Sequence, residues 1–133
     1  MTGGRFLGID YGTKRIGISI SDETGTLAFP KLILENDGTA LQKIGVMATT
    51  ENVGEIVVGE SINFKGEPNA ITADIEIFIS ELEKLAVPVK REKEFLTSVE
   101  ARKFHGPKSR VDASAAALIL QRYLDRKNLR AKS

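Results

Sequence analysis

Three acidic residues of this chain stand where a charged side chain is costly unless it is paired. Asp10 ends the apolar run "RFLGID" and shares one strand face with Phe6 and Gly8. Glu94 lies near the end of the segment "VPVKREKEF", and Asp112 lies in the first turn of a helical segment, on its apolar face. Three carboxylates at strand and helix ends suit a hard divalent cation such as Mg²⁺ or Mn²⁺, which prefers oxygen ligands.

Each of the three acids also has a purely structural interpretation. Asp10 could close a turn, as aspartate often does. Glu94 could be one member of the alternating charges in "KREKE". Asp112 could take part in a capping box that begins at Ser109, helped by the helix dipole.

Other kinds of catalytic site find little support in the composition. The chain has no cysteine, which excludes thiolate chemistry, and its one histidine, His105, excludes a zinc site built from several histidines. It has no "GxxxxGK[ST]" phosphate loop, no "GxGxxG" fingerprint and no nucleophile elbow. We interpret His105 as an exposed loop residue.

Length and charge bound the class of protein. The 133 residues suit a single domain spanning residues 1–133. The N-terminal residues lack a signal-peptide layout and no segment is apolar enough to cross a membrane, so we expect a cytoplasmic protein. Residues 1–89 carry 7 Lys/Arg and 13 Asp/Glu, whereas residues 90–133 carry 12 and 5, and this basic last third is compatible with phosphate contacts.

Hydrophobic periodicity predicts strands that first form a hairpin and then alternate with helices. The alternating Ile16, Ile18 and Ile20 predict a strand that pairs back on the first one. This order predicts an α/β fold with a mixed sheet and flanking helices. The predicted strands are 5–10, 15–22, 26–36 (with a bulge or edge position at Pro30), 55–60 and 87–95, and the predicted helices are 37–53, 70–86, 97–104 and 110–127.

Four segments, in order and rough spacing, resemble the YqgF/RuvX family. They are "GIDYGTKRIGISISD", "EIVVGE", "EFLTSVEAR" and "VDASAAALIL", and the resemblance covers nearly the whole chain. Members of this family are ribonuclease-H-like proteins described as Holliday junction resolvases or as nucleases for the 5′ end of pre-16S rRNA. The resemblance implies a five-stranded mixed sheet and an acidic site, which here matches Asp10, Glu94 and Asp112.

The resemblance also implies the reaction and its partner. It implies phosphodiester hydrolysis in structured nucleic acid, assisted by one or two Mg²⁺ or Mn²⁺ ions. Independently of the resemblance, we expect a monomer or weak homodimer that does not bind membranes. Basic and polar residues near the acids are candidate phosphate contacts, with surface charge as their alternative role. They are Lys14, Arg15, Asn63, Lys65, Arg102, Lys103, Lys108 and Arg110.

The chain departs from the family pattern in three places, one of which is "GESINFKG" where the family usually has "GLP-N-DG". Family members usually have "DER" before "LT", whereas here Lys93 replaces the acid and Phe95 replaces the base. The stretch between "VEA" and "VDA" is shorter than the family's.

Two other functions are compatible with the same motifs. "GIDYGT" also resembles the first phosphate motif of actin-like kinases and ATPases, but those need two such domains around one nucleotide. The fold could also serve as a non-catalytic nucleic-acid-binding module. Between RNA 5′-end processing and Holliday junction resolution the sequence favours the first only weakly. Few aromatic residues are expected at the surface to stack on bases, and the candidates are Tyr11, Phe64, Phe95 and Phe104.

Overall fold

A mixed five-stranded sheet forms the centre of the protein, with strand order β3-β2-β1-β4-β5. The structure is a computed structural model that describes residues 4–12, 14–62, 72–95 and 108–132. The strands are β1 (Arg5–Tyr11), β2 (Arg15–Ser21), β3 (Ala28–Glu35), β4 (Val53–Ile62) and β5 (Val89–Phe95). The helices are α1 (Ala40–Thr50), α2 (Thr72–Leu82), which continues as a 3₁₀ turn (Glu83–Leu85), and α3 (Lys108–Lys132).

The first two strands form the predicted hairpin. The alternating isoleucines of β2 lie opposite Tyr11, Ile9 and Leu7 of β1, in an antiparallel register. Because side chains alternate across a strand, all of these residues point to one face of the sheet. That face packs against α1 and α2 in the larger apolar core, which includes Ile44, Phe78 and Ile79.

The opposite face of the sheet is covered by α3. Its buried residues Ile119, Leu120 and Leu124 pack with Val57 of β4 in a second apolar cluster. Strand β4 runs parallel to β1, and β5 runs parallel to β4, whereas β2 and β3 are antiparallel to their neighbours. The predicted mixed sheet with flanking helices is therefore confirmed.

Pro30 lies on the edge strand β3, where the sequence predicts a bulge or an edge position. The register with β2 shifts there, since Ser19 pairs with Pro30 while Ile18 pairs with Leu32. Proline lacks the N–H group that a regular ladder requires, so the bulge accommodates it on the edge.

Several predicted boundaries differ from the structure. Helix α1 begins at Ala40 rather than at residue 37, because Asp37 accepts hydrogen bonds from the amide and hydroxyl of Thr39 in a turn (2.8 and 2.6 Å). It ends before Asn52, whose φ of 55° is left-handed. Strand β4 continues to Ile62, beyond the predicted end at residue 60, because Ser61 and Ile62 pair with β5.

The last helix is longer than predicted at both ends. It begins at Lys108, so the prediction that Ser109 caps it is wrong, and it ends at Lys132 rather than at residue 127. The final turns consist of strong helix formers such as Leu129, Arg130 and Ala131, with no Gly or Pro to end them. The predicted helix 97–104 lies outside the described residues. Among the helices described, none combines the length and apolarity that a membrane span requires.

Candidate metal centre at the carboxyl ends of the strands

Asp10 lies near the carboxyl end of the central strand β1, between two glycines. Its cross-strand neighbours are Gly17 on β2 and Gly59 on β4. Aligned residues of adjacent strands point to the same face, so neither adjacent strand places a side chain directly beside the half-buried Asp10. On the α3 face, the two strands next to β1 therefore place no side chain beside this carboxylate, while Ile119 of α3 covers Gly59.

Small residues let α3 approach this face closely. A Cβ atom at Gly8 would lie 2.2 Å from the Ser19 Oγ and 2.8 Å from the Leu120 Cβ. A Cβ atom at Gly59 would lie 2.4 Å from the Ile119 Cδ1. The Ser19 hydroxyl also donates a hydrogen bond of 2.8 Å to the Ala116 carbonyl, which fixes the helix against β2.

Glu94 occupies a backbone position at the same edge of the sheet as Asp10. It pairs with Ser61, and Glu92 pairs with Gly59, the residue that also pairs with Asp10. The positions of Glu92 and Glu94 therefore lie on the same face of the sheet as Asp10. Strand β5 is two strands away from β1, a separation of roughly 10 Å.

Asp112 occupies the helix α3 one turn before Ala116. Ala116 lies over Gly8, whereas Tyr123 meets the Phe6 ring at a centroid distance of 6.2 Å. The helix therefore runs antiparallel to β1, and its first turns extend past Gly8 toward the end of the strand. The backbone thus brings Asp10 and Glu94 to one edge and directs the helix start toward it; the described side chains contain no cluster of three metal-ligating residues.

Glu92 is a buried acid that is not among the three predicted site residues. It is only 3% exposed and forms an ion pair with Arg126 of α3. A signal for it exists in the sequence, because Arg126 continues the helical spacing of Asp112, Ala116, Ile119 and Tyr123. A basic residue in a stripe that packs on a sheet predicts an acidic partner there.

A second polar contact anchors α3 beside this pair. The Tyr123 hydroxyl donates a hydrogen bond to the Glu55 carboxylate of β4. Burial, and then this hydrogen bond to a carboxylate, raise the pKa of Tyr123 well above its ordinary value. The Tyr123 hydroxyl therefore stays protonated and neutral over the whole physiological pH range.

Two of the eight candidate phosphate contacts are described with their surroundings. Lys14 and Arg15 are exposed where the chain turns from β1 to β2, close to Asp10 in sequence. Lys108 and Arg110 belong to the first turn of α3. Outside the described residues lie Asn63, Lys65, Arg102, Lys103 and His105.

Tyr11 does not serve as a base-stacking surface. It is one of the aromatic residues expected at the surface, but it is half-buried and packs on Phe78, with ring centroids 4.8 Å apart. That expectation is wrong because Tyr11 points to the face covered by α1 and α2, opposite to Asp10.

Comparison with known proteins connects this fold to nucleases. Curated relatives named "Putative pre-16S rRNA nuclease" include one from Lawsonia intracellularis, which is 35% identical over 132 residues, covering 91% of this chain and 93% of the relative. Another, from Leifsonia xyli, is 38% identical over 136 residues, covering 94% and 88%.

Solved structures support the fold. RuvC of T. thermophilus in complex with Holliday junction substrate matches with a TM-score of 0.61 at 11% identity, covering 93% of this chain and 95% of RuvC. A second structure of RuvC from Thermus thermophilus matches with a TM-score of 0.57 at 11% identity, covering 92% and 95%. The predicted ribonuclease-H-like architecture is thereby confirmed.

The family assignment rests on a match that spans most of the sequence. The family model described as "RuvX: Holliday junction resolvase" matches residues 4–126. With that match and the identities above 30% over most of both chains, the protein belongs to the RuvX family.

Proposed function

We propose that this member of the RuvX family is a divalent-metal-dependent nuclease that hydrolyses phosphodiester bonds in structured nucleic acid. We propose the 5′ end of pre-16S rRNA as its substrate, cut in the cytoplasm by a monomer or weak homodimer. The relatives' name supports this substrate. The observation that carries the proposal is the sheet register, in which Asp10 and Glu94 share one face at the carboxyl ends of parallel strands.

The donor set fits a hard cation. Asp10, Glu94 and Asp112 offer carboxylate oxygens, and the two glycines that pair with Asp10 place no competing strand side chain beside it. In the proposed site these three residues hold Mg²⁺ or Mn²⁺. When bound, such an ion makes a water more acidic and stabilises the developing charge on the leaving oxygen.

The basic residues bind and orient the substrate in this proposal. Lys14 and Arg15 are exposed a few residues after Asp10, where they can pair with the phosphates that flank the scissile bond. Lys108 and Arg110 belong to the first turn of α3, which is directed toward the same edge. Contacts of this kind do not depend on the nucleotide sequence, and they weaken as the salt concentration rises.

Holliday junction resolution is the second candidate function. The description of the family model and the fold of RuvC, solved with a Holliday junction substrate, favour it. A four-way junction has two equivalent strands to cut, so this function favours a two-fold dimer. Cleavage of an RNA end does not require one.

The test compares the purified protein with Asp10→Asn, in Mg²⁺, Mn²⁺ and EDTA. The substrates are an RNA carrying the 5′ extension of 16S rRNA, a single-stranded RNA and a four-way DNA junction. Asp74→Asn is the matched control, because Asp74 is an exposed aspartate on α2, at the opposite face of the sheet. We expect metal-dependent cleavage by the protein and the control, and only background cleavage by Asp10→Asn.

Other outcomes separate the alternatives. Equal cleavage by Asp10→Asn and the unchanged protein would contradict the proposed site. Preference for the junction over both RNAs would favour the second candidate. Binding without cleavage of any substrate would instead support a non-catalytic nucleic-acid-binding module.

A further inference from the structure

We propose that Asn36 is a positioning residue that holds the turn between β1 and β2, so that Lys14 meets a substrate phosphate beside Asp10. This inference rests on the proposed nuclease function. It assigns a role in substrate binding to a residue at the end of β3. Asn36 is the first residue after β3, directly past the last pair of that ladder, Arg15 with Glu35.

Asn36 makes two hydrogen bonds to the turn. Its side-chain Nδ2 donates to the Gly12 carbonyl at 2.8 Å. Its backbone N–H donates to the Lys14 carbonyl at 2.9 Å. One residue therefore fixes carbonyl groups on both sides of the turn, and the half-buried position of Asn36 shields these bonds from competing water.

The described part of the turn is tight at Gly12. A Cβ atom at Gly12 would lie 2.5 Å from the Arg15 carbonyl oxygen. Gly12 contributes no side chain, and Lys14 and Arg15 are exposed. The end of β3 supplies a restraint on this turn, and asparagine suits that position because its short side chain carries an N–H donor beside the backbone donor.

The consequence for binding is a lower entropic cost. A lysine on a loosely held turn loses backbone freedom when it meets a phosphate, and that loss weakens the contact. Since Asp10 lies two residues before Gly12, the two hydrogen bonds also relate Lys14 to the proposed metal ligand.

The chain offers a matched control for this contact. Asn128 of α3 donates from its own Nδ2 to the Gly25 carbonyl at 3.1 Å, in the turn between β2 and β3. Asn128→Ala therefore removes the same type of hydrogen bond as Asn36→Ala, in a turn at the opposite ends of the strands. We expect similar losses of stability, and a loss of affinity only for Asn36→Ala.

The experiment measures the Kd for a labelled four-way DNA junction and a structured RNA, with EDTA present to prevent cleavage. The experiment compares four variants, and a denaturation curve is recorded for each. They are Asn36→Ala, Asn128→Ala, Lys14→Ala and the Asn36→Ala/Lys14→Ala double variant. We expect Asn36→Ala to weaken binding by about three- to tenfold, which corresponds to a contact of about 1 kcal/mol. In the Lys14→Ala background the same change should have no further effect.

Three results with the asparagine variants would overturn the inference. They are an unchanged Kd in Asn36→Ala, an equal loss in Asn128→Ala, or a loss that adds fully to that of Lys14→Ala. An unchanged Kd in Lys14→Ala would also overturn it, while the cleavage test with Asp10→Asn judges the proposed function separately. If Asn36→Ala does not fold, Asn36→Ser is measured in its place, with the same expectations.

Discussion

At the scale of single residues, the absence of a side chain at Gly8 decides how closely α3 approaches Asp10. A Cβ atom there would meet the Ser19 Oγ at 2.2 Å, the Leu120 Cβ at 2.8 Å and the Ala116 carbonyl oxygen at 3.1 Å. We expect Gly8→Ala to lower the free energy of unfolding by about 1–3 kcal/mol, because the helix must move outward. Urea denaturation measures this change, and cleavage activity should fall with it.

Gly38→Ala is the control for that substitution. A Cβ atom at Gly38 would meet nothing within 4 Å. We therefore expect its stability to stay unchanged or to rise by up to about 1 kcal/mol, because alanine restricts the unfolded chain. Equal stability of the two variants would show that α3 does not depend on contact with Gly8.

Single residues also show how far a sequence can predict a site. The sequence itself marks Asp10 as a candidate, because a charge follows an apolar run. The register adds its place at the carboxyl end of a central strand, and its role as a metal ligand stays a prediction. For Glu92 the helical position of Arg126 predicts only that some acid of the sheet pairs with it, and does not show which charge of "KREKE" is the one that is 3% exposed. Its role depends on which face of β5 is covered by α3, and that is settled by contacts between distant segments.

At the scale of secondary-structure elements, local patterns predict the existence of elements better than their ends. The hairpin and the bulge at Pro30 follow from alternation and from the missing N–H of proline. The extension of β4 to Ile62 does not follow from a local pattern, because Ser61 and Ile62 form part of the strand only through pairing with β5. Likewise, α1 begins late because the side chain of Asp37 binds the backbone locally.

A charged contact between α2 and β5 makes the stability of these elements depend on pH. Both Glu76 carboxylate oxygens accept hydrogen bonds from Arg91, and this contact lowers the pKa of Glu76 below its ordinary value. A carboxyl group with a lowered pKa in the folded state contributes stability above its unfolded pKa. That contribution disappears as the pH falls through the folded pKa.

Glu76→Gln should therefore lower the Tm at neutral pH but not in acid. We expect the difference in Tm between the variant and the unchanged protein to stay constant from neutral pH down to the ordinary pKa of glutamate, about 4.3, and to shrink below it toward about pH 2. Thermal denaturation followed by circular dichroism across this range measures it. A difference that stays constant with pH would show that the ion pair contributes nothing and that the substitution only alters packing.

At the scale of the whole molecule, the two faces of the sheet differ in what they carry. One face buries the larger apolar core under α1 and α2, and the other carries Asp10 under the closely packed α3. The charge follows a similar division along the chain, with a net charge of −6 in residues 1–89 and +7 in residues 90–133. The basic part contains most of β5 and all of α3, the two elements that carry Glu94 and Asp112.

If nucleic acid binds at this edge, the location of positive charge should matter more than its amount. Replacing Lys108 and Arg110 by Gln removes two charges from the start of α3, whereas replacing Lys43 and Lys84 by Gln removes two exposed charges from the α1 and α2 side. We expect the first pair to weaken binding and to lower the slope of log K against log salt by about 2, one unit for each lost phosphate contact. The second pair should leave the slope unchanged. Titrations of labelled RNA at several salt concentrations measure both slopes. The two variants have the same net charge. Equal slopes would therefore show that the protein attracts nucleic acid through its overall charge and not through the edge that carries Asp10.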